Sequence, residues 1–470
     1  MSAFPDAIIP PFSINTEYVS RSMPKILVAN LDNESMMGDQ RSWTSQFYLG
    51  SSMLAMRHAW FAEPGDIVVL PRAISMGMRC YIAECLGYSS DAVTFLVPVT
   101  DPRYLGPLGP EHLLSREFLA TLKEAMGKIV DWTVWPYLFD RVVSSLIVAL
   151  GLESAAANPF LLEGGAELLN DKRVFRAIAA GHAIALAPGR VATSCDQLAT
   201  ALEDLMAATG SVIVKQDRHS STDGNAIVTK TPGIAGLGAS AVINAVGRTT
   251  SSVAEEVWLR LGYQDHASLV VESYYQVRNI LYAEFYVDAA KSAVTLLNWG
   301  EPRMDPGHIG LILPPAVSPY KGARFISGAT ELARIACDLG FRGLIDVDGI
   351  VTTDGNVIYN EVNGRTGGCS HVHHICERLL GPGYGDNFVV ATNNRIRACD
   401  FGVLLRILSE NSIGFDRTAK RGIVVTAEDS TGCGALEVLS IGHTREEVLE
   451  LERTLEAIAG CVPERAALPA

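Results

Sequence analysis

Cysteine is sparse and unpatterned in this 470-residue chain: nine residues, at 80, 85, 195, 337, 369, 376, 399, 433 and 461, an odd number with no Cys-x-x-Cys pair. Such usage speaks against a disulfide framework and points to a reduced, cytosolic setting. Positive charge is in deficit, with 38 Lys and Arg against 52 Asp and Glu and a net charge of −14. A field of that sign repels phosphate backbones and anionic lipid, so neither nucleic acid nor a membrane is expected as a partner. Long apolar runs are missing too: stretches such as Leu146 to Leu152 fall far short of the roughly 20 residues of a membrane span. The N-terminus, MSAFPDAIIPPFSIN, has neither the basic start nor the unbroken apolar core of a secretory signal. There is no internal repeat, and no Gly-x-x-x-x-Gly-Lys-Ser/Thr occurs. The glycines at 233, 236 and 238 do not follow a strand in Gly-x-Gly-x-x-Gly order, which disfavours a P-loop or dinucleotide enzyme.

At about 150 residues per domain the length implies about three domains or two large ones. From Lys25 the pattern alternates: KILVANLD as a strand, Trp43 to Trp60 as a helix, Asp66 to Leu70 as a strand, SMGMRCYIAECLG as a helix, then AVTFLVPV as a third strand. That alternation predicts a doubly wound parallel sheet. A helical stretch follows, from Glu111 to Val130 and again from Leu138 to Leu152. Beyond Leu168 the runs SVIVKQD (211–217), SLVVESYYQ (268–276), ILYAEFYVD (280–288) and SAVTLLNWG (292–300) read as strands, with helices at Ser194 to Ala208 and Lys321 to Leu339. The mixture predicts an α+β region with antiparallel sheets. The tail from Asp400 reads as a helix, two strands (GIVVTAED and ALEVLSIG) and a terminal helix from near Thr444. Thr231 to Ser240 reads as a mobile loop.

The most informative segment is Leu344 to Gly368. Two alternating runs flank Asp354-Gly355, a strong signal for a two-residue hairpin turn. Such a turn pairs Asp348 with Glu361 and Asp346 with Asn363, all on one face of the ribbon. Ile345, Val347, Val351, Ile358 and Val362 then form core. Like charges directly opposite one another destabilise a sheet unless a cation lies between them. Carboxylates and an amide are the oxygen set of magnesium, with positions left for water and substrate phosphate. The plain alternative is a solvated hairpin face. For the phosphate, Lys215 near the end of an apolar strand precedes the polar loop RHSSTDGNA with Ser220 and Ser221, and Lys172 opens a helix in LLNDKRVF. Glu272, followed by Ser273, Tyr274 and Tyr275, ends a strand where backbone groups and a carboxylate would meet an adenine edge.

Taken in order, these pieces resemble the ATP-grasp superfamily of carboxylate-amine ligases from Glu167 to about Ser370, preceded by its pre-ATP-grasp domain. Lys172, Lys215, the Ser220 and Ser221 loop, Glu272 and the closing Glu361-x-Asn363-x-Arg365 carry the resemblance, and the spacing from Asp348 to Glu361 is similar to that in D-alanine:D-alanine ligases. It implies a pre-ATP-grasp α/β domain at 1–135, an ATP-grasp domain at 136–400 and a C-terminal α+β segment at 401–470 packed on it. It also implies ATP held by Lys172, Lys215, Ser220, Ser221, Glu272 and Tyr275, magnesium held by Asp348, Glu361 and Asn363, and Arg365 stabilising an acyl phosphate and its oxyanion. Arg303, in WGEPRMDPGH, is a second candidate for the carboxylate. Asp346 stands where the D-alanine ligases carry an arginine, and Asn279 or Glu284 would replace an early acidic residue displaced after the hinge. Within the superfamily the chain is most similar to peptide ligases of the pheganomycin type, which implies joining a guanidino-bearing amino acid to a peptide amine. Small carboxylic acids and amino-acid or peptide amines are then the expected partners; a homodimer stays open, and a phosphotransferase is the alternative. In CSHVHHIC, helical spacing of Cys369, His373 and Cys376 suggests zinc, but the position argues for pocket lining, with His371 or His374 as a proton acceptor.

Overall fold

Lys25–Val28 (β1), Ile67–Val69 (β2), Thr94–Leu96 (β3) and Thr133–Pro136 (β4) form a sheet of order β3-β2-β1-β4, parallel throughout. These strands belong to a computed structural model that describes residues 23–38, 43–101, 103–129, 131–152, 158–219, 222–262, 268–305, 307–397, 400–429 and 432–459. Both faces of the sheet are covered, as a parallel sheet requires. Ile26 and Val28 pack against helices Arg116–Met126 and Arg141–Leu150, while Leu27 faces the main core on the other side. The sequence reading leaves out β4, which is four residues long and ends in proline, too short to show a period. The helix read from Trp43 to Trp60 is an α-helix, Ser45–Ala55, that tightens into a 3₁₀ segment, Met56–Phe61.

A second sheet holds Gly189–Ala192 (β5), Ser211–Gln216 (β6), Asn225–Thr229 (β7), Ala241–Asn244 (β8) and Leu269–Ser273 (β9), ordered β5-β9-β6-β7-β8. All pairings are antiparallel except β7 with β8. Helices Cys195–Thr209 and Thr250–Leu261 bury one face, and Ile213 lies on the other.

The largest sheet comprises Val277–Asp288 (β10), Ala293–Asp305 (β11), Gly307–Leu313 (β12), Arg342–Thr352 (β13), Val357–Asn363 (β14), Val389–Arg397 (β15), Gly422–Asp429 (β16) and Ala435–Gly442 (β17). Its order is β14-β13-β10-β11-β12-β15-β17-β16, antiparallel throughout. Residues after Asp400 therefore do more than pack on the body. β16 and β17 extend its sheet through β15, a strand the sequence reading also leaves out. One apolar cluster runs from Leu27 and Val68 in the first sheet to Phe285, Ile345 and Val424 in the third, so the two share a core. The cysteines at 80, 85, 195, 337, 369, 376 and 433 are free. Among the described residues no helix is long and apolar enough to cross a membrane.

Candidate active site

The β13–β14 hairpin puts its carboxylates where the sequence predicts, by a different route. Thr352 donates to the Asn356 carbonyl at 2.9 Å and Gly355 to Thr352 at 2.8 Å, closing a three-residue loop in which Gly355 takes a left-handed φ of 82°. Alone, that extra residue would slip the register by one. A bulge at Asn360 restores it, since Gly349 pairs with Tyr359 but Asp348 with Glu361 and Asp346 with Asn363. Between bulge and turn the sides are exchanged: Ile358 pairs with Ile350, which lines the cleft, while Val357 and Tyr359 take the core. Ile358 is buried as expected, but on the opposite side of the ribbon from Val357 and Tyr359.

Asp346, Asp348, Glu361 and Asn363 line one cleft of about 580 Å³, bounded by the second and third sheets and by loops and helices of the first domain. Lys172, the first residue of helix Lys172–Gly181, and Lys215 on β6 reach into it. Asp171 caps that helix through the amides of Arg173 and Val174 and so fixes the approach of Lys172. The Lys172 Nζ lies 2.9 Å from Glu361 Oε2 and donates to the His219 carbonyl at 2.8 Å. Lys215 Nζ lies 2.7 Å from Glu272 Oε2, and Arg176 pairs with the other oxygen of that carboxylate. Asn363 Nδ2 donates to Asp348 Oδ2 at 3.1 Å, and Arg365 donates to the side-chain oxygens of Asn170 and Asn363. Burial and then the Glu361 charge push the Asp348 carboxyl well above the usual range. Burial pushes Glu361 the same way, but Lys172 and Lys215 outweigh it and hold that carboxyl down.

The nucleotide-side candidates converge less completely. Tyr275 and Glu272 line the cleft with Ala187, Ile213 and Leu237. Ser220 and Ser221 lie outside the described residues, between His219 and Thr222, both of which line it. The Thr231 to Ser240 loop lies over the same end: Leu237 and Gly238 line the cleft, and Tyr274 Oη donates to the Leu237 carbonyl at 3.1 Å.

Arg303 is not brought to the cleft. Both of its terminal nitrogens bind Glu452, at 2.7 and 2.9 Å, and one also donates to the Thr392 carbonyl at 2.7 Å, so the guanidinium is spent tying β11 to the last helix. Asn279 donates to Glu301 and to the Ala316 carbonyl, and Glu284 is buried behind the cleft on Ser370 and Asn298, so neither fills the role after the hinge. Of the histidine-rich segment only Cys369 lines the cleft. His371 Nε2 lies 3.2 Å from Glu437, His373 Nδ1 lies 3.2 Å from Tyr384 Oη, and His374 packs on Phe61. Burial pushes His373 and His374 down to about 3 and lowers His371 as well. His371 and His373 are buried residues of helix Ser370–Leu380 and His374 is half-buried against Phe61; none of the three lines the cleft, where a proton acceptor would have to stand. Among the described residues no group of three or more His, Cys, Asp or Glu side chains could hold a metal ion.

Sequence reasoning missed Asp32, Arg57, Tyr137, His308 and Arg395, all of which line the cleft. They come from the first sheet's loops and from β12 and β15, and no local spacing ties them to the hairpin.

A family model described as the pre-ATP-grasp domain matches residues 55–152. The whole chain superposes on an N5-carboxyaminoimidazole ribonucleotide synthetase solved with ADP, at TM-score 0.55 and 13% identity over 96% of this chain and 99% of that one. The fold is a pre-ATP-grasp domain followed by an ATP-grasp body. The ATP-grasp likeness extends to the biotin carboxylase domain of 2-oxoglutarate carboxylase from Hydrogenobacter thermophilus, at TM-score 0.54 and 12% identity over 92% of this chain and 89% of that one. It also includes N5-carboxyaminoimidazole synthase from Aspergillus clavatus, solved with ADP and 5-aminoimidazole ribonucleotide, at TM-score 0.52 and 14% identity over 93% and 99%. Residues 403–455, which include β16 and β17 of the ATP-grasp body, match a second family model, the PGM1 C-terminal domain. No curated protein sequence matches the chain.

Proposed function

We propose that this ATP-grasp chain is an ATP-dependent, ADP-forming carboxylate-amine ligase. The observation that carries the reading is the convergence of Lys172, Lys215 and Arg365 with Asp348, Glu361 and Asn363 in one cleft. Magnesium fits the hairpin face: two carboxylates sit opposite each other across the ribbon with an amide beside them, too few for an all-protein cage and suited to an ion completed by phosphate oxygens and water. Bound there by Asp348, Glu361 and Asn363, it would supply positive charge to the phosphates of ATP. Lys172, already beside Glu361, would hold α- or β-phosphate oxygens, and Lys215 would exchange part of its bond to Glu272 for the same task. Tyr275 and Glu272 would meet the adenine edge, with Ile213 and Ile350 against its faces. The substrate carboxylate then attacks the γ-phosphate, forming an acyl phosphate and ADP, and an amine displaces the phosphate to give an amide. Phosphoryl transfer of this kind needs positioning and charge, so no protein nucleophile is required. Arg365 would stabilise the oxyanion as the acyl phosphate breaks down.

Amino-acid or peptide ligation is the narrower form of the proposal. Asp32 and Asp346 line the same cleft, carboxyl groups suited to an ammonium or guanidinium group. Glu361→Gln and Lys215→Ala are expected to lower acid-dependent ADP release at least about 100-fold with the circular dichroism spectrum unchanged. Near-normal turnover in either variant would refute the site. Mass spectrometry of products from ATP, a guanidino acid and mixed peptides tests the narrower form: an amide supports it, and a stable phosphorylated acid that no amine consumes would mark a phosphotransferase instead.

A further inference from the structure

Arg57 stands outside the ATP-grasp set yet occupies the cleft wall, and its surroundings are built. It sits on the 3₁₀ segment Met56–Phe61 of the first domain, 8% exposed, and faces Glu437 on β17, which has no exposure at all. Glu437 engages one side of the guanidinium: Nε donates to Oε2 at 2.9 Å and Nη2 to Oε1. The same carboxylate accepts from Thr426 Oγ1 at 2.7 Å and from His371 Nε2 at 3.2 Å. Its pKa is therefore held well below the usual range, against the pull of burial, by Arg57 and His371. Four donors on one carboxylate lock the plane of the guanidinium.

Among the described residues the hydrogen bonds of Arg57 run through Nε and Nη2 to Glu437, and none is made by Nη1. Nη1 reaches Gly368, where an added Cβ would stand 3.6 Å from it, in the loop that follows Arg365. Arg57, Arg365, Gly367 and Gly368 all line the same cleft. With Nε and Nη2 held by Glu437, Nη1 is the edge of a fixed, cleft-lining guanidinium left for a ligand, and a planar fork held on one side is pre-organised to take a carboxylate on the other.

Resting on the ligase reading, we propose that Arg57 is the anchor for a carboxylate of the acyl donor, with Glu437 as the positioning residue that aims it. The donor is thereby assigned as an acid whose carboxylate bridges the Nη1 edge of Arg57 and the Gly367-Gly368 loop, close to Arg365 and the γ-phosphate position. The first domain and the last strands of the sheet together select the acid, while β6, β9 and the hairpin handle the nucleotide.

The test is steady-state ADP release with a panel of amino and guanidino acids, hydroxylamine being supplied to trap the activated acid as a hydroxamate. Arg57→Gln leaves Glu437 unpaired in the core, so the paired variant Arg57→Gln with Glu437→Gln, which removes both charges, is measured beside it. The expected result in the paired variant is a KM for the acid raised roughly 100-fold, with the KM for ATP within about twofold of wild type. Arg57→Lys is expected to recover only part of the loss, since an ammonium cannot span both Glu437 and a substrate. A KM for the acid unchanged in the folded paired variant, while wild type forms hydroxamate, overturns the assignment of Arg57 and leaves the ligase reading standing. Wild type that binds ATP but releases no ADP with any acid overturns the ligase reading and this proposal with it.

Discussion

Glu284 is a carboxylic acid in a place that disfavours its charge. It is 1% exposed and accepts from Asn298 Nδ2 at 2.6 Å and from the Ser370 hydroxyl. Burial outweighs both bonds and raises its pKa from 4.5 to about 7. The folded chain therefore retains a proton, between those two values, that the unfolded chain has released. Stability must fall as pH rises through that window. Glu284→Gln cannot ionise, so in urea titrations it is expected to gain on wild type by up to about 3 kcal/mol from pH 5 to pH 8. A difference independent of pH would show that the carboxyl ionises normally. At this scale the sequence is legible where chemistry is local: Lys172 beside its helix cap, Lys215 on its strand, and Asp348 with Glu361 across one turn. It misleads where burial decides. Cys369, His373 and Cys376 carry ligand-like spacing, but the helix turns His373 and Cys376 into core, where a neutral imidazole costs least.

Between elements, the hairpin shows how a register can be right for an incomplete reason. A two-residue turn without a bulge and a three-residue turn with one place Asp348 opposite Glu361 equally well. Val357, Ile358 and Tyr359 tell them apart, by their sides of the ribbon. No sequence period marks Asn360 as the extra residue, because a bulge is a choice made against neighbouring strands. Arg303 is a second case: a loop arginine beside a strand reads as a substrate ligand until the last helix supplies Glu452, 4% exposed, as its partner. Removing one member of such a pair strands the other charge, so Arg303→Ala is expected to destabilise the protein by about 2–4 kcal/mol. The specific activity of the folded fraction should stay within about twofold of wild type, since the guanidinium does not line the cleft. A selective rise in the KM for the acid would return Arg303 to the site.

For the molecule as a whole, the cleft is walled by loops and helices of the first domain and by residues of the second and third sheets, so whatever fills it binds the folded chain and not the unfolded one. A non-hydrolysable ATP analogue with magnesium, at 100 times its Kd, is expected to add about 2.7 kcal/mol of stability. The thermal midpoint should rise accordingly, and the magnesium-dependent part of the rise should vanish in Glu361→Gln. An analogue that leaves the midpoint unmoved would remove the nucleotide from the cleft. The doubly wound first sheet is readable from alternating strands and helices, and the antiparallel body from strand runs that follow one another directly. The union of the last strands with that body is not, because β15 bridges them through pairings distant in sequence.

The partnership of Arg57 with Glu437 spans 380 residues. During synthesis the first domain emerges with its guanidinium in place, but the carboxylate that fixes it belongs to almost the last strand made. Until β17 pairs with β15, Glu437 cannot stand opposite Arg57, and the guanidinium has no fixed plane. A chain that stops before β17 therefore lacks the carboxylate that holds the Arg57 guanidinium in its plane.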